Sequence, residues 1–135
     1  MSDPRHLLGR RAENAAAAWL ERAGWWILAR RQRSRHGGEV DLIARDPLGI
    51  LVAIEVRARQ SGRTGAATTT VDARRTARLA RTLAGYASDG SITHTGLRID
   101  LVTLEPVAGV SGRWRLYRTP DIGESVGRLS RRGGE

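Results

Sequence analysis

The stretch from residue 38 to residue 59 constrains the fold most, because it predicts a tight antiparallel β-hairpin. Residues 38–45 and 50–59 alternate and are rich in β-branched side chains, which is typical of two strands. Between them, Asp46-Pro47-Leu48-Gly49 fits a type I turn that ends on a glycine in the left-handed region. Such a loop sets Asp46 opposite Ile50 and thereby fixes the register of the hairpin.

In this register two carboxylates, those of Asp41 and Glu55, lie opposite each other with Cβ atoms about 5 Å apart. Like charges at this distance destabilise a sheet unless a cation compensates them. Mg²⁺, or Mn²⁺ in its place, is typically bound by one or two carboxylates and accepts water and phosphate oxygens as further ligands. We therefore predict a metal site formed by Asp41, Glu55 and the carbonyl of Val56. The alternative is a structural pair neutralised by Arg57 and other arginines.

The two faces of the hairpin predict packing on both sides. One face is apolar throughout, and the other is charged at one end, where Glu39 faces Arg57, and apolar near the turn. A helix laid over the apolar half of the charged face would bring an acid at the border of its stripe toward the carboxylates. The apolar pairs are Val40 with Val56, Leu42 with Ile54 and Ala44 with Val52, and the apolar residues of the charged face are Ile43, Leu51 and Ala53.

Two amphipathic helices are predicted over about residues 4–23 and 72–88. On the first, Glu13 lies about 100° from Ala12, at the border of the apolar stripe, where an acid is usually solvated. If this helix covers the charged face of the hairpin, Glu13 approaches the two carboxylates. The stripe consists of Leu8, Ala12, Ala15, Ala16, Trp19 and Ala23.

Further strands are predicted at residues 25–33, 97–104 and 113–118. The chain is thus predicted to be an α/β domain over residues 1–120, with a central mixed sheet of about four or five strands flanked by the two helices. Asp100 lies in the middle of a strand, where a structural ion pair with an arginine is expected. Residues 121–135 are polar and are predicted to be partly disordered.

The charge of the chain predicts a polyanionic partner. Its 135 residues carry a formal charge of +9, and all 23 basic residues are arginine. Nucleic acid, DNA first, is favoured over a membrane, because no apolar run approaches the roughly 20 residues of a spanning helix. The absence of cysteine excludes disulfides and thiolate zinc sites. The amino terminus has no apolar signal segment, so a cytoplasmic location is predicted.

Several arginines are candidate phosphate contacts, with a solvated surface as the alternative for each. Arg33 and Arg35 belong to a basic loop after the first strand, and Arg59 lies at the end of the hairpin. Arg63 lies in a loop rich in Gly, Thr and Ser that is predicted to be mobile. On the second helix two arginines point to solvent and Arg75 leans toward the sheet. The set is Arg33, Arg35, Arg59, Arg63, Arg74, Arg75 and Arg78.

The order of these parts resembles the PD-(D/E)XK nuclease superfamily, which has an acid on its first helix and paired acids on the next two strands. More closely, the chain looks like the bacterial YraN family over about residues 5–105. The resemblance implies a restriction-endonuclease-like fold and, through the similarity to Holliday-junction resolvases, a Mg²⁺-dependent endonuclease acting on branched DNA. It leaves open a homodimer like that of resolvases. The segments that carry it are Leu8-Gly9-Arg10, Ala12-Glu13, Gly24-Trp25, residues 38–44, 55–59 and 71–79, and Arg98-Ile99-Asp100.

The resemblance also implies roles for single residues. It makes Asp41 and Glu55 metal ligands and Glu13 an acid that orients the attacking water, and it places the catalytic lysine of the superfamily at Arg57. Arginine keeps its proton because its pKa exceeds about 12, so it can stabilise charge but cannot accept a proton. Two other hypotheses therefore stay open: a non-catalytic nucleic-acid-binding module of nuclease fold, and a scaffold whose positive charge serves an acidic protein partner.

Overall fold

The computed structural model describes residues 4–35, 37–59 and 71–123. The predicted helices and strands are present there, with bounds that differ by at most two residues. The predicted mobile loop around Arg63 and most of the predicted disordered tail lie outside the described residues. Neither described helix is both long and apolar enough to cross a membrane. The elements are α1 (Pro4–Arg22), β1 (Trp26–Arg33), β2 (Glu39–Arg45), β3 (Ile50–Ala58), α2 (Ala73–Asp89), β4 (Gly96–Pro106) and β5 (Trp114–Thr119).

The hairpin turn between β2 and β3 has the predicted geometry. The N–H of Gly49 donates to the carbonyl of Asp46 at 3.0 Å, and Gly49 has a φ of 88°, a region that favours glycine. The carboxylate of Asp46 accepts hydrogen bonds from the backbone N–H groups of Leu48 and Ile50 at 2.9 and 3.0 Å. Because the turn is fixed by both backbone and side chain, it sets the register of the strands that follow.

The five strands form one open sheet in the order β1-β2-β3-β4-β5. β2 and β3 pair antiparallel in the predicted register, from Leu42 opposite Ile54 to Arg45 opposite Leu51. β3 and β4 pair parallel, and α2 lies in the crossover between them. A mixed sheet of five strands flanked by two helices is consistent with the predicted restriction-endonuclease-like fold.

The two helices cover opposite faces of the sheet. α1 packs on the face that carries Leu42 and Ile54, and α2 packs on the face that carries Ile43 and Ala53. The expectation that the helix with Glu13 covers the charged face of the hairpin is therefore wrong. A parallel crossover is almost always right-handed, which fixes the face on which α2 lies and leaves the other face to α1.

The predicted alternation of the hairpin fails at Val40. The pattern places Val40 beside Val56 on the α1 face, whereas Val40 is fully buried in the cluster that contains Leu79 of α2. Val56 borders the cluster under α1. The backbone pairs between β2 and β3 run only as far as Leu42 and Ile54, so the alternation set by the turn no longer governs the residues beyond them.

The buried face of α1 is rotated from the predicted stripe toward Glu13. Ala12, Ala16 and Leu20 are fully buried, and Glu13 is 7% exposed. Alanine at every position from 15 to 18 blurs the helical periodicity, so the centre of the stripe could not be located from the sequence. Glu13 thus lies within the layer between helix and sheet and not at its solvated border.

Asp100 forms the predicted structural ion pairs. It is fully buried on β4, where Arg98 donates to both of its oxygens at 2.9 and 3.1 Å and Arg118 donates at 2.8 Å. Arg98 also donates to Asp46 at 2.9 Å. The guanidinium groups of Arg98 and Arg118 lie 5.7 and 5.3 Å from the ring centroid of Trp25. We call Asp46, Arg98, Asp100 and Arg118 the Asp100 centre.

Candidate active site

Three acidic side chains converge where β2 and β3 leave the hairpin ladder: Asp41 of β2, Glu55 of β3 and Glu13 of α1. We call them the carboxylate cluster. Oδ2 of Asp41 accepts a hydrogen bond from the backbone N–H of Val56 at 2.8 Å, which fixes this carboxylate against β3. Asp41 also forms a side-chain hydrogen bond with Glu55 and lies within the field of Glu13. The three acids predicted from the sequence are thus brought together, although α1 lies on the unexpected face.

The charge of Asp41 is poorly compensated. Burial raises the pKa of Asp41 from its ordinary value of 3.8 to about 7, against the opposing effect of the Val56 N–H. The negative charge of Glu55, its hydrogen bond with Asp41 and the negative charge of Glu13 raise the pKa further. A cation between these carboxylates would favour the ionised form of Asp41, because opposite charges lower the pKa of an acid.

Glu55 is bound by Arg75 of α2. Nε and Nη2 of Arg75 donate to the two oxygens of Glu55, each at 2.9 Å, and Nη2 also donates to the backbone carbonyl of Glu39 at 3.0 Å. The residue is positioned by Asp72, the N-cap of α2, whose carboxylate accepts from the backbone N–H of Arg75 at 2.8 Å. The prediction that Arg75 leans toward the sheet is confirmed.

Glu13 is bound by a residue that the sequence did not single out. Nε of Arg31 on β1 donates to Oε1 of Glu13 at 3.1 Å. Arg31 has a φ of 49°, and the pairing of β1 with β2 shifts by one residue between Ile27 and Ala29. The only sequence signal was the run of arginines that includes Arg31. Its contact with Glu13 depends on a bulge that no periodicity encodes.

Arg57 follows Glu55 by two residues on β3, so strand alternation places both on the same face of the sheet. Arg57 is half-buried and lies opposite Thr103 of the parallel strand β4. Glu39, which the hairpin register predicted opposite Arg57, is the strand partner of Arg33 of β1 and forms an ion pair with it at 3.4 Å. The hairpin ladder ends before it reaches Glu39, which is why the predicted pair is not part of it.

Of the arginines predicted to contact phosphate, five lie in β1, α2 and the loops beside β1 and β3; four of them are exposed and one is half-buried. Arg33 and Arg35 are exposed at the end of β1 and just after it, and Arg74 and Arg78 are exposed on α2. Arg59 is half-buried immediately after β3. Their role as nucleic-acid contacts stays a prediction, but none of the four exposed guanidinium groups is required by the core.

A cavity of about 870 Å³ lies at the same end of the sheet as the carboxylate cluster, between α1 and the loop that joins β4 to β5. Its lining includes Arg11, Asn14, Arg113 and Trp114. β3 and β4 are parallel, so both strands end at the same edge of the sheet. Pro106, the last residue of β4, lines the cavity and therefore places it at this edge. Sequence reasoning missed Arg11 and Arg113 because they are about a hundred residues apart and belong to no common motif.

The donor chemistry of the carboxylate cluster fits a hard divalent cation. Mg²⁺ needs only one or two carboxylates when water and phosphate complete its shell, and Asp41 and Glu55 supply these. The carbonyl of Val56 stays a predicted ligand. Within residues 4–35, 37–59 and 71–123, no group of three or more His, Cys, Asp or Glu side chains is arranged to hold a metal ion. Arg75 binds both oxygens of Glu55, so a metal ion at Glu55 would compete with this guanidinium.

Comparison with known proteins identifies the family. The model of a family described as "Uncharacterised protein family UPF0102" matches residues 12–104. A UPF0102 protein of Anaeromyxobacter dehalogenans is 42% identical over 106 residues, which cover 76% of this chain and 75% of the relative. One of Bordetella avium is 39% identical over 112 residues, 83% of this chain and 74% of the relative. One of Symbiobacterium thermophilum is 40% identical over 108 residues, 80% of this chain and 88% of the relative. The chain therefore belongs to the uncharacterised protein family UPF0102, the YraN family that its motifs resemble.

Proposed function

We propose that this protein is a nucleic-acid-binding phosphodiesterase that uses Mg²⁺ or Mn²⁺ and acts as an endonuclease on DNA, branched DNA in particular. The observation that carries the proposal is the convergence of Asp41, Glu55 and Glu13, in which the pKa of Asp41 is raised to about 7. A half-buried acid such as Asp41 that lies beside other acids costs stability, and such perturbed groups concentrate at functional sites. The formal charge of +9 supplies the attraction for a polyanionic substrate.

Each residue of the cluster has a distinct task in this proposal. Asp41 and Glu55 hold the divalent ion, which when bound would polarise the phosphodiester and make water more acidic. Glu13 accepts a hydrogen bond from the attacking water and so orients it. Arg31 fixes the direction of the Glu13 carboxylate through its bond of 3.1 Å.

Arg57 stabilises the negative charge that develops on the phosphorus centre. Its guanidinium remains protonated at physiological pH and so offers hydrogen bonds and charge, but it cannot remove a proton from water. A divalent ion held by Asp41 and Glu55 would supply the activation of water that the lysine of the superfamily otherwise provides. Exposed arginines such as Arg74 and Arg78 bind the phosphates that flank the scissile bond.

The decisive experiment is cleavage of four-way-junction, flap and linear duplex DNA in Mg²⁺ or Mn²⁺. We expect the wild-type protein to cleave at least one branched substrate, Asp41→Asn to lose this activity, and chelation to abolish it. Glu21→Gln is the matched control, since Glu21 is an exposed acid on the same helix as Glu13. Activity that survives in Asp41→Asn would contradict the proposal, because it would come from another site or a contaminant.

A non-catalytic DNA-binding module is the second candidate. Two observations favour it: an arginine in the lysine position, and the pairing of Glu55 with Arg75, which leaves the fold without need of a metal ion. This module would bind DNA in a salt-dependent way, with no cleavage and no heat on titration with Mn²⁺. A heat of Mn²⁺ binding that disappears in Glu55→Gln would instead favour the phosphodiesterase.

Both candidates share a prediction for the exposed face of α2. Each phosphate contact removed lowers the slope of log K against log salt by about 0.9 for duplex DNA. We expect Arg74→Ala with Arg78→Ala to lower the slope by about twice this value, measured by fluorescence anisotropy at several salt concentrations. An unchanged slope would exclude this face of α2 from the interface.

A further inference from the structure

We propose that Arg75 is an exchangeable counter-cation of Glu55: a divalent ion displaces its guanidinium from the carboxylate, and the released side chain then binds a phosphate of the nucleic acid. The inference rests on the proposed function, because it assigns a second role within the same site. It predicts that the metal ion and the phosphate bind cooperatively.

The contacts of Arg75 make it a direct competitor of a metal ion. Two parallel N–H groups donate to the two oxygens of Glu55, each at 2.9 Å, in the bidentate geometry that suits a guanidinium and a carboxylate. A divalent ion would approach the same oxygens to about 2.0 Å. The guanidinium occupies one lone pair on each oxygen of Glu55 and repels a second cation there, so it competes with the ion for this carboxylate.

Arg75 is able to leave without disturbing the helix that carries it. Its backbone N–H is bound by the carboxylate of Asp72 at 2.8 Å, and this cap does not involve the guanidinium. The side chain is 26% exposed, so solvent already reaches it. Besides Glu55, the guanidinium donates to the backbone carbonyl of Glu39, a neutral partner that water can replace.

Arg98 of the same sheet differs from Arg75, because several partners hold its guanidinium in place. It is 18% exposed, bonds to the carboxylates of Asp46 and Asp100, and packs 5.7 Å from the ring centroid of Trp25. Among the described residues, Arg75 forms an ion pair with one carboxylate, that of Glu55, and no aromatic ring lies within cation–π distance of it. The loss of one carboxylate partner is therefore enough to free it.

The released guanidinium has a ligand nearby. It remains on the first turn of α2, next to the exposed Arg74 and one turn before the exposed Arg78. A phosphodiester that shares its oxygens with a metal ion at Asp41 and Glu55 would lie beside this turn. A guanidinium binds phosphate through the same two-pronged geometry with which it binds a carboxylate, so Arg75 exchanges one anion for another of similar shape.

The test is calorimetric titration of Mn²⁺ into the full-length protein in the absence of nucleic acid. Arg75→Met keeps the length of the side chain and removes the positive charge that repels the ion and competes for Glu55, so it is expected to bind Mn²⁺ about 10-fold or more tightly than the wild type. Arg81→Met is the matched control, an exposed arginine of α2 that does not contact the cluster, and it should bind as the wild type does. Unchanged or weaker binding of Mn²⁺ by Arg75→Met would overturn the proposal.

A second variant covers the case in which Arg75→Met does not fold. Arg75→Lys keeps the charge but loses the fork, so it is expected to bind Mn²⁺ more tightly than the wild type and less tightly than Arg75→Met. A wild-type affinity for Arg75→Lys would overturn the proposal as well. If no variant binds Mn²⁺, the exchange is excluded, whereas the cleavage assay with Asp41→Asn judges the proposed function independently.

Discussion

The carboxylate cluster and the Asp100 centre place buried acids in the same sheet, yet their charges are compensated in opposite ways. Asp100 accepts from two arginines and from the backbone N–H of Asp121, and its neighbour Asp46 accepts from Arg98 and two backbone N–H groups. Asp41 accepts from the backbone N–H of Val56 and lies near the charges of Glu55, Glu13 and Arg75, of which Arg75 donates its hydrogen bonds to Glu55. No ion pair to Asp41 is present in the part of the chain that the structure describes.

The pKa values of two aspartates express this difference. Burial alone would raise the pKa of Asp46, but the hydrogen bonds from Ile50, Arg98 and Leu48 lower it. For Asp41, burial and the neighbouring acids outweigh the Val56 N–H and raise the pKa to about 7. The comparison teaches that burial of a carboxylate does not by itself indicate a functional site. The informative feature is an acid, here the half-buried Asp41, whose charge the fold leaves only partly compensated.

The largest expected effect is at the Asp100 centre. Asp100→Ala leaves Arg98 and Arg118 partly buried without their shared carboxylate, so the free energy of unfolding should fall by about 3 to 5 kcal/mol. Urea denaturation at neutral pH measures the change. A loss below about 1 kcal/mol would show that the centre does not stabilise the sheet.

A substitution in the carboxylate cluster should raise the free energy of unfolding at neutral pH and above, whereas Asp100→Ala lowers it. The folded pKa of Asp41, about 7, lies above the unfolded value of 3.8, so the folded state retains a proton that the unfolded state has lost. Stability therefore falls as the pH rises from about 4 to about 7. Asp41→Asn removes this loss and should be more stable than the wild type at pH 8, by on the order of 1 to 3 kcal/mol.

Urea denaturation in the presence of a chelator, at pH 4 and at pH 8, checks this expectation. The advantage of Asp41→Asn should be largest at pH 8 and small near pH 4, where the wild-type carboxyl is protonated in the folded state and about half protonated in the unfolded state. Glu21→Gln, at an exposed position of α1, controls for the general effect of removing an acid. A variant that is less stable than the wild type at pH 8 would show that Asp41 is compensated after all.

Asp46→Asn should give the smallest of the three effects. The pKa of Asp46 is lowered, so its stabilisation is present above its unfolded pKa and is lost as the pH falls through the folded one. The variant keeps the turn acceptor but loses the charge opposite Arg98, which should cost about 1 kcal/mol at pH 7 and less in acid. A cost that grows toward acid would contradict the assignment of the charge as stabilising.

The fold was predictable to the extent that it depends on local pattern. The turn at Asp46 and Gly49 set the hairpin register, and helical periodicity predicted both helices to within one residue of their bounds. The face covered by α1 was not predictable, because it depends on the crossover from β3 to β4 and not on any property of α1 itself.

The site was predictable where one hairpin determines it and not where distant elements meet. The hairpin predicted that Asp41 and Glu55 lie close together, although the observed ladder ends at Leu42 and Ile54 and does not include them as a pair. The hydrogen bond from Arg31 to Glu13 depends on a bulge in β1. The hydrogen bonds from Arg75 to Glu55 depend on how α2 packs on the sheet. Charge and spacing indicated that Arg75 faces the sheet, but no sequence pattern specified which acid it would bind.

The most direct test of the difference between the two centres is to locate a paramagnetic ion by NMR. Mn²⁺ broadens the signals of nuclei near its binding site, so titration of the ¹⁵N-labelled protein reports where the ion binds. We expect the amide signals of Glu55 and Val56 to broaden first and those of Leu48 and Ile50, beside Asp46, to stay sharp. Broadening centred on Asp46 and Asp100, or none near Asp41, would contradict the account.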